Sequence, residues 1–159
     1  MDDSVDMHFQ GNDDAVGAAM CDYIKNEQPE LMFIHFDEVD GAGHSFGWGT
    51  TRYYDQIANV DRLIGDVIDS LENAGIMDKT LIMVSSDHGG NNFGHGGFTQ
   101  AEMYIPVIFY GVGLQSHGVQ NRRVLSNRDL APTALYALGL REGDYMTGRT
   151  ATEIFEQQH

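Results

Sequence analysis

The chain has 159 residues, enough for one domain with a hydrophobic core, and 42% of them are hydrophobic, as in a globular protein. Its 24 acidic and nine basic residues give a formal net charge of −15. Nucleic acids and anionic membranes are repelled by such a chain, and no apolar run approaches the roughly 20 residues that span a bilayer, so neither partner is expected.

The first segment, residues 1–12, is acidic and lacks the apolar stretch of a signal peptide. We predict a frayed N-terminus over 1–12 and a single α/β domain over 13–159. Cys21 is the single cysteine, so no internal disulfide forms and the compartment stays unknown from cysteine usage.

Helices and strands alternate along the rest of the chain. Apolar residues at helical spacing predict helices over 13–26, 51–74 and 127–138. Short apolar runs predict strands over 31–36, 80–85 and 105–110, and glycine-rich loops over 37–49 and 87–99 follow the first two. This order predicts an α/β layered domain with a mostly parallel sheet, in which the strand at 31–36 is buried on both faces.

Acidic and histidine side chains follow two of the predicted strands. They are Asp37, Asp40 and His44 after the first strand, and Asp87, His88 and His95 after the second. Sites in open α/β sheets form beyond the carboxyl ends of the strands, so these clusters are expected to meet there. Carboxylate and neutral imidazole together suit zinc or manganese, and crowded carboxylates repel one another unless a cation lies between them.

Three short motifs carry a resemblance to a known family. Asp40-Gly41-Ala42-Gly43-His44 resembles the Asp-x-x-Gly-His motif of type I phosphodiesterases and nucleotide pyrophosphatases. Ser86-Asp87-His88-Gly89 resembles their second metal motif, and Gly94-His95-Gly96-Gly97 with the following Glu102 resembles their third. Order and spacing agree over residues 31–150. Sulfatases and cofactor-independent phosphoglycerate mutases share this alkaline phosphatase superfamily and parts of the pattern.

The resemblance implies a partial three-layer αβα sandwich that holds two divalent metal ions, zinc or else manganese. One ion would be held by Asp40, His44 and His95, and the other by Asp87 and His88. Asp37, Asn91 and Glu102 would orient a ligand or line the substrate pocket. The implied reaction is hydrolysis of a small phosphate ester, and two bound ions would offset four of the 15 negative charges that repel such a substrate.

The chain departs from the family in one respect. The family's Ser or Thr nucleophile and a further Asp ligand lie upstream of the Asp-x-x-Gly-His motif, and the 39 residues before Asp40 contain neither pattern. We therefore expect a C-terminal half of the enzyme, with no catalytic nucleophile of its own and an incomplete site at Asp87 and His88. An exposed sheet edge would invite pairing with a second copy. Relatives of the parent enzyme are often exported.

Three other interpretations stay open. In the first the chain is a catalytically inactive metal-binding fragment, in the second a sulfatase or phosphoglycerate-mutase-like member, and in the third a serine esterase. The last rests on Gly43-His44-Ser45-Phe46-Gly47, which matches the Gly-x-Ser-x-Gly elbow with Ser45 as nucleophile. Its context is unfavourable, because an elbow serine directly follows a strand and the apolar run ends at Phe36, nine positions earlier.

Overall fold

The computed structural model describes residues 5–115, 118 and 123–155. The helices are α1 (Asp13–Glu27), α2 (Glu38–Phe46), α3 (Thr51–Asn73), α4 (Gln100–Met103) and α5 (Leu130–Ala137), and the strands are β1 (Leu81–Ser85) and β2 (Val107–Gly111). Short 3-10 helices cover Met77–Lys79, Asn127–Asp129 and Thr152–Ile154. Of the predicted N-terminal segment, residues 1–4 lie outside the described residues, and 5–12 contain neither helix nor strand. No helix in the described ranges has the length and apolarity to cross a bilayer.

The chain divides into two compact units. Unit 1 comprises residues 1–77 and 90–103, and unit 2 comprises residues 78–89 and 104–159.

Unit 1 is built on the packing of α1 against α3, whose bounds match the predicted helices to within a residue. Asn12 caps α1 by accepting a hydrogen bond from the N–H of Ala15 at 2.9 Å. Gly17 lets the two helices approach closely, because a Cβ atom there would lie 2.8 Å from Cδ2 of Leu63. The buried apolar side chains of this unit are Met20, Ile24, Ala42, Leu63 and Leu71.

Helix α2 lies where the sequence predicted a loop over 37–49, so that prediction is wrong for residues 38–46. Two glycines, Gly41 and Gly43, lower the intrinsic helix propensity of the segment. Tertiary contacts outweigh this preference. The Asp13 carboxylate accepts the N–H of Asp37 at 3.0 Å, where the helix begins, and Trp48 packs directly on Gly43.

The apolar run 31–36 was predicted as a strand buried on both faces, and the structure differs. This segment pairs with no strand among the described residues, and its side chains alternate between exposed and half-buried. Leu31 is 63% exposed and Phe33 is 88% exposed. An apolar run encodes a tendency to be covered, but a strand exists only where a second strand supplies the hydrogen bonds.

Unit 2 contains the two-stranded sheet, which confirms two of the predicted strands. β1 and β2 are antiparallel, with a register that runs from Leu81 opposite Gly111 to Ser85 opposite Val107. The predicted mostly parallel arrangement is wrong for this pair. A parallel pair is usually joined by a helix that packs across the sheet, and although the connection between β1 and β2 is long enough for one, it contains only the four-residue α4.

A buried carboxylate organises the second half of unit 2. Asp129 is 8% exposed and accepts hydrogen bonds from the backbone N–H groups of Arg149 at 2.8 Å and Ser126 at 3.1 Å. Burial acts to raise the pKa of this carboxyl, but the two donors and nearby arginine charges outweigh it and leave the pKa below its usual value. Asp129 therefore joins the start of α5 to the loop at 148–150.

Candidate metal centre

Three of the predicted ligands lie together in unit 1. Asp40 and His44 are one turn apart on α2, and His95 comes from the loop that follows the 91–94 turn. Nε2 of His44 lies 3.5 Å from Oδ2 of Asp40, and Nε2 of His95 lies 3.5 Å from Oδ1 of the same residue. One ligand atom from each residue falls within 4.8 Å of the others. The three side chains are 31–46% exposed, so the cluster is open to solvent.

A backbone carbonyl fixes the orientation of the His44 ring. Nδ1 of His44 lies 2.9 Å from the carbonyl oxygen of Phe93. Because a carbonyl oxygen only accepts, Nδ1 carries the proton and Nε2 presents its lone pair towards Asp40 and His95. The sequence suggested Asp37 for this orienting role, but the carboxylate of Asp37 makes no hydrogen bond in the described part of the chain.

The loop that carries Phe93 and His95 is held by its own backbone. Asn91 and Gly94 exchange two backbone hydrogen bonds of 2.9 and 3.1 Å, which close a tight turn. The N–H of Trp48 donates to the carbonyl of Asn92 at 2.8 Å, and this bond joins the turn to the segment after α2. Asn91, predicted to line the pocket, thus shapes the loop through its main chain.

Trp48 forms one wall of the cluster. Its ring centroid lies 5.2 Å from that of His44 and 6.1 Å from that of His95, in edge-on geometry. Two glycines make room for the indole, since a Cβ atom would lie 2.6 Å from Cε2 of Trp48 at Gly43 and 2.1 Å from it at Gly90. The close packing of the Trp48 indole therefore requires glycine at both positions, one in α2 and one in a loop.

Tyr53 packs beside Trp48, with ring centroids 6.0 Å apart. Burial raises the pKa of the Tyr53 hydroxyl, and the neighbouring Tyr54 and Asp40 charges raise it further. Tyr53 therefore stays protonated and contributes a neutral hydroxyl near the cluster.

Glu102 serves the loop backbone. Its carboxylate accepts the hydroxyl of Thr99 at 2.6 Å, the N–H of Gly97 at 2.9 Å and the N–H of Thr99 at 3.2 Å. The Thr99 hydroxyl and these N–H groups hold the pKa of Glu102 below its usual value. Glu102 was predicted to orient a ligand or line the pocket, and in the structure it secures the segment just after His95.

The donor set fits a divalent ion. Atoms that ligate a tetrahedral zinc ion at about 2.0–2.1 Å lie roughly 3.3 Å apart. The two nitrogen-to-oxygen distances of 3.5 Å, one to each carboxylate oxygen of Asp40, are close to that spacing, and one donor atom from each residue lies within 4.8 Å of the others. Two imidazoles and one carboxylate suit zinc and manganese, and three protein ligands leave a coordination position open for a small molecule.

The other predicted ligands, Asp87 and His88, lie in unit 2 and form a simpler arrangement. Nε2 of His88 lies 3.4 Å from Oδ2 of Asp87, whose side chain is 74% exposed. Nδ1 of His88 lies 2.8 Å from the carbonyl oxygen of Gly89, so Nε2 is again the nitrogen with the lone pair. Asn127 steadies the pair by donating to the carbonyl of Asp87 at 2.8 Å. Within its own unit this pair offers two ligands.

An open depression of about 500 Å³ adjoins the cluster in unit 1. It is lined by Ser45, Phe46, Thr50, Thr51, Arg52 and Phe93. The Arg52 guanidinium lies 4.6 Å above the Phe46 ring and, within the described ranges, has no carboxylate within ion-pair distance. Ser45 lies in the last turn of α2, not in a strand-to-helix elbow.

Comparison with known proteins places the sequence in a family. The sequence model of the family described as Type I phosphodiesterase / nucleotide pyrophosphatase matches residues 2–102. Human arylsulfatase K is 29% identical over 116 residues, which cover 67% of this chain and 22% of that protein. GPI ethanolamine phosphate transferase 3 of Schizosaccharomyces pombe is 30% identical over 138 residues, which cover 84% of this chain and 14% of that protein.

Solved structures agree on the fold. The putative sulfatase yidJ from Bacteroides fragilis superposes with a TM-score of 0.60 at 21% identity, over 93% of this chain and 34% of that one. Ps i-CgsB gives a TM-score of 0.60 at 20% identity, over 86% of this chain and 36% of that one. The chain therefore has part of the alkaline-phosphatase-like αβα sandwich, and it spans about a fifth of the length of the arylsulfatase K proteins it matches.

Proposed function

Because the chain belongs to the type I phosphodiesterase / nucleotide pyrophosphatase family of the alkaline phosphatase superfamily, we propose that it serves metal-dependent hydrolysis of phosphate esters. Asp40, His44 and His95 hold one divalent ion, with zinc favoured over manganese. Asp87 and His88 contribute to a second ion. The ligand is a small-molecule phosphate ester.

The observation that carries this proposal is the assembled cluster in unit 1. Three potential ligands from two separate segments point their donor atoms into one space, with both Asp40–His distances at 3.5 Å. A histidine whose Nδ1 donates to a carbonyl is the usual arrangement for a metal ligand, because the bond selects the tautomer that coordinates through Nε2. His44 has this arrangement.

A bound divalent ion supplies positive charge for phosphoryl oxygens and lowers the pKa of a coordinated hydroxyl or water. The residues of the chain keep that charge in place. Asp40 contributes a negative ligand that offsets part of the ion's charge, and the Phe93 carbonyl holds the His44 ring in one orientation. Trp48 forms one wall of the cluster and limits the movement of both imidazole rings.

The depression beside the cluster supports an anionic ligand. Unit 1 contains 17 of the 24 acidic residues and only three of the nine basic ones. Lys25 and Arg62 are each paired with a carboxylate. Among the described residues, no carboxylate lies within ion-pair distance of Arg52. Arg52 therefore offers an unneutralised cation to an approaching anion in a unit that otherwise repels it.

Metal binding is the first test. The purified chain, stripped with chelator and incubated with zinc, should retain about one equivalent in a tight site of the three-ligand type, measured by elemental analysis after gel filtration. His44→Ala should lose it, and His8→Ala, which removes an imidazole outside the cluster, should keep it. Zinc-free wild-type protein after this treatment would rule out the proposed site.

Hydrolysis is the second test, and it separates the remaining alternatives. Turnover of bis-p-nitrophenyl phosphate that disappears in His44→Ala excludes an inactive fragment. Preference for p-nitrophenyl sulfate would favour a sulfatase, which the arylsulfatase K relatives make a specific alternative. We expect weak turnover from this chain by itself, because the resemblance puts the nucleophile outside the motifs it carries. Labelling of Ser45 by a fluorophosphonate would instead support an esterase.

A further inference from the structure

A buried carboxylate that belongs to no recognised motif contacts the start of the metal-binding helix. Asp13, at the beginning of α1, is 1% exposed. Its Oδ1 atom accepts the backbone N–H of Asp37 at 3.0 Å and that of Glu38 at 3.5 Å. These are the residues at which α2 begins, 24 and 25 positions away along the chain.

Helix α2 has no side-chain cap of its own. Its N-cap residue, Asp37, makes no capping hydrogen bond, and its backbone is already helical with φ −111° and ψ −10°. The N–H groups of a first helical turn have no partner within the helix and require one from elsewhere. Asp13 supplies that partner from α1.

Burial of the Asp13 carboxylate costs free energy unless its hydrogen bonds are made. A carboxylate removed from water is tolerated only when hydrogen bonds replace its hydration. Nε2 of Gln56, on α3, donates to Oδ2 of Asp13 at 3.3 Å and lies 3.4 Å from Oε2 of Glu38. Asp13 thus connects three helices of unit 1 at one point.

This connection sets where the metal ligands lie. Asp40 is three residues after Asp37, and His44 is one turn further along the same helix. A rotation or a shift of α2 by one residue would move both side chains away from His95, which comes from a separate segment. The contact at Asp13 fixes the start of the helix against such movement.

We propose that Asp13 is a positioning residue for the metal centre, which holds α2 in the register that aims Asp40 and His44 at His95. The inference rests on the proposed metal site. It predicts that loss of the Asp13 carboxylate weakens metal binding even when the protein remains folded.

The test compares zinc affinity, measured by calorimetry, with fold integrity, measured by circular dichroism. Asp13→Ala should bind zinc about 10- to 100-fold more weakly, as for loss of a residue that orients a ligand. Asp13→Asn should restore binding to within about threefold, because asparagine accepts helix N-terminal N–H groups nearly as well as aspartate.

Two controls separate positioning from general effects. Asp14→Ala removes the same charge from the next position of α1, where the side chain pairs with Arg62, and should change affinity by no more than about twofold. Ile24→Ala truncates a buried side chain near the other end of α1 and should destabilise unit 1 while leaving the Asp13 carboxylate in place. Equal weakening in Ile24→Ala and Asp13→Ala, or wild-type affinity in folded Asp13→Ala, would overturn the proposal.

Amide hydrogen exchange of the zinc-free protein gives a second readout. In Asp13→Ala, the amides of residues 41–46 should exchange faster while those in the middle of α3 keep their protection. If wild-type protein binds no zinc, the proposed function fails, and unchanged exchange in α2 would then reject the positioning role as well. If the wild-type protein binds zinc and the Asp13 variants match it in zinc affinity and amide exchange, the proposed function stands and the positioning role of Asp13 fails.

Discussion

The two sets of Asp and His residues differ in how they are assembled. In unit 1, Asp40 and His44 share a helix, His95 joins them from a loop, and the Phe93 carbonyl aligns one ring. In unit 2, the two candidate ligands are consecutive residues, held by the Gly89 carbonyl and by the side chain of Asn127. The comparison teaches that adjacency in sequence brings two ligands together at little cost, whereas a three-ligand site needs several segments fixed against each other.

The units also differ in charge. Unit 1 contains 17 acidic and three basic residues, while unit 2 contains seven acidic and six basic residues. The excess negative charge of unit 1 favours a bound cation at Asp40, His44 and His95 and disfavours the metal-free state of the same cluster. Unit 2 is stabilised internally instead, by the buried carboxylate of Asp129 and its backbone donors.

The strongest test of the difference between the two sets is a pair of ligand removals in the chain as it stands. His44→Ala should weaken zinc binding by about 100-fold or more, since it removes a direct ligand and orienting residues alone are worth 10- to 100-fold. His88→Ala should leave the affinity of the tight site within about twofold, because His88 supplies no donor atom to the three-residue cluster. Titration calorimetry measures both, and a larger loss in His88→Ala would invert the comparison.

The stability of unit 2 should depend on the hydrogen bonds of Asp129, as that of unit 1 depends on the packing of its helices. Asp129→Ala leaves the partly buried N–H groups of Arg149 and Ser126 without this acceptor, which should lower the free energy of unfolding by about 1–3 kcal/mol. Asp144→Ala, an exposed change in the same unit, should stay within about 0.5 kcal/mol. Urea unfolding compares the two variants, and equal stabilities would show that the Asp129 contacts contribute little.

Close packing of Trp48 on α2 can be tested with two glycines of one helix. Gly43→Ala places a methyl group 2.6 Å from the indole and should destabilise the chain by about 1–3 kcal/mol. At Gly41 a Cβ atom meets nothing within 4 Å, so Gly41→Ala should stabilise α2 by about 0.5–1 kcal/mol through helix propensity. Thermal unfolding measures the direction of both changes in stability, and a stabilising Gly43→Ala would contradict the described contact.

The smallest expected effect is a pH dependence at Glu102. Its folded-state pKa lies below the usual 4.5, so its contribution to stability is present above that value and is lost as the pH falls through the folded pKa. Glu102→Gln should therefore show a smaller loss of stability between neutral pH and about pH 3.5 than wild type. Urea midpoints at the two pH values measure this, and identical losses would remove the role given to Glu102.

Much of the site was predictable from sequence because its ligands are side chains in recognisable motifs. Asp40, His44 and His95 were predicted together and lie together. The residues that support them carried no such signal. Phe93 acts through its carbonyl, which any residue possesses, and Asp13 acts across 24 positions from an ordinary helix start.

The fold was predictable where local pattern decides and unpredictable where a partner decides. α1 and α3 followed from apolar spacing over many turns. α2 was missed because Gly41 and Gly43 favour a loop locally, and the contacts that overrule them are distant in sequence. The direction of β1 against β2 likewise depends on which strand lies beside each one. The same holds for 31–36, which has no strand partner among the described residues.

Trp48 has a consequence for observing the protein. It is the only tryptophan of the chain, and its indole touches the edges of both His44 and His95. The tryptophan component of the fluorescence, which excitation beyond the tyrosine band selects, therefore originates beside the cluster. A ligand bound to either imidazole would alter the surroundings of that single indole, so tryptophan emission offers an optical readout of the proposed metal binding.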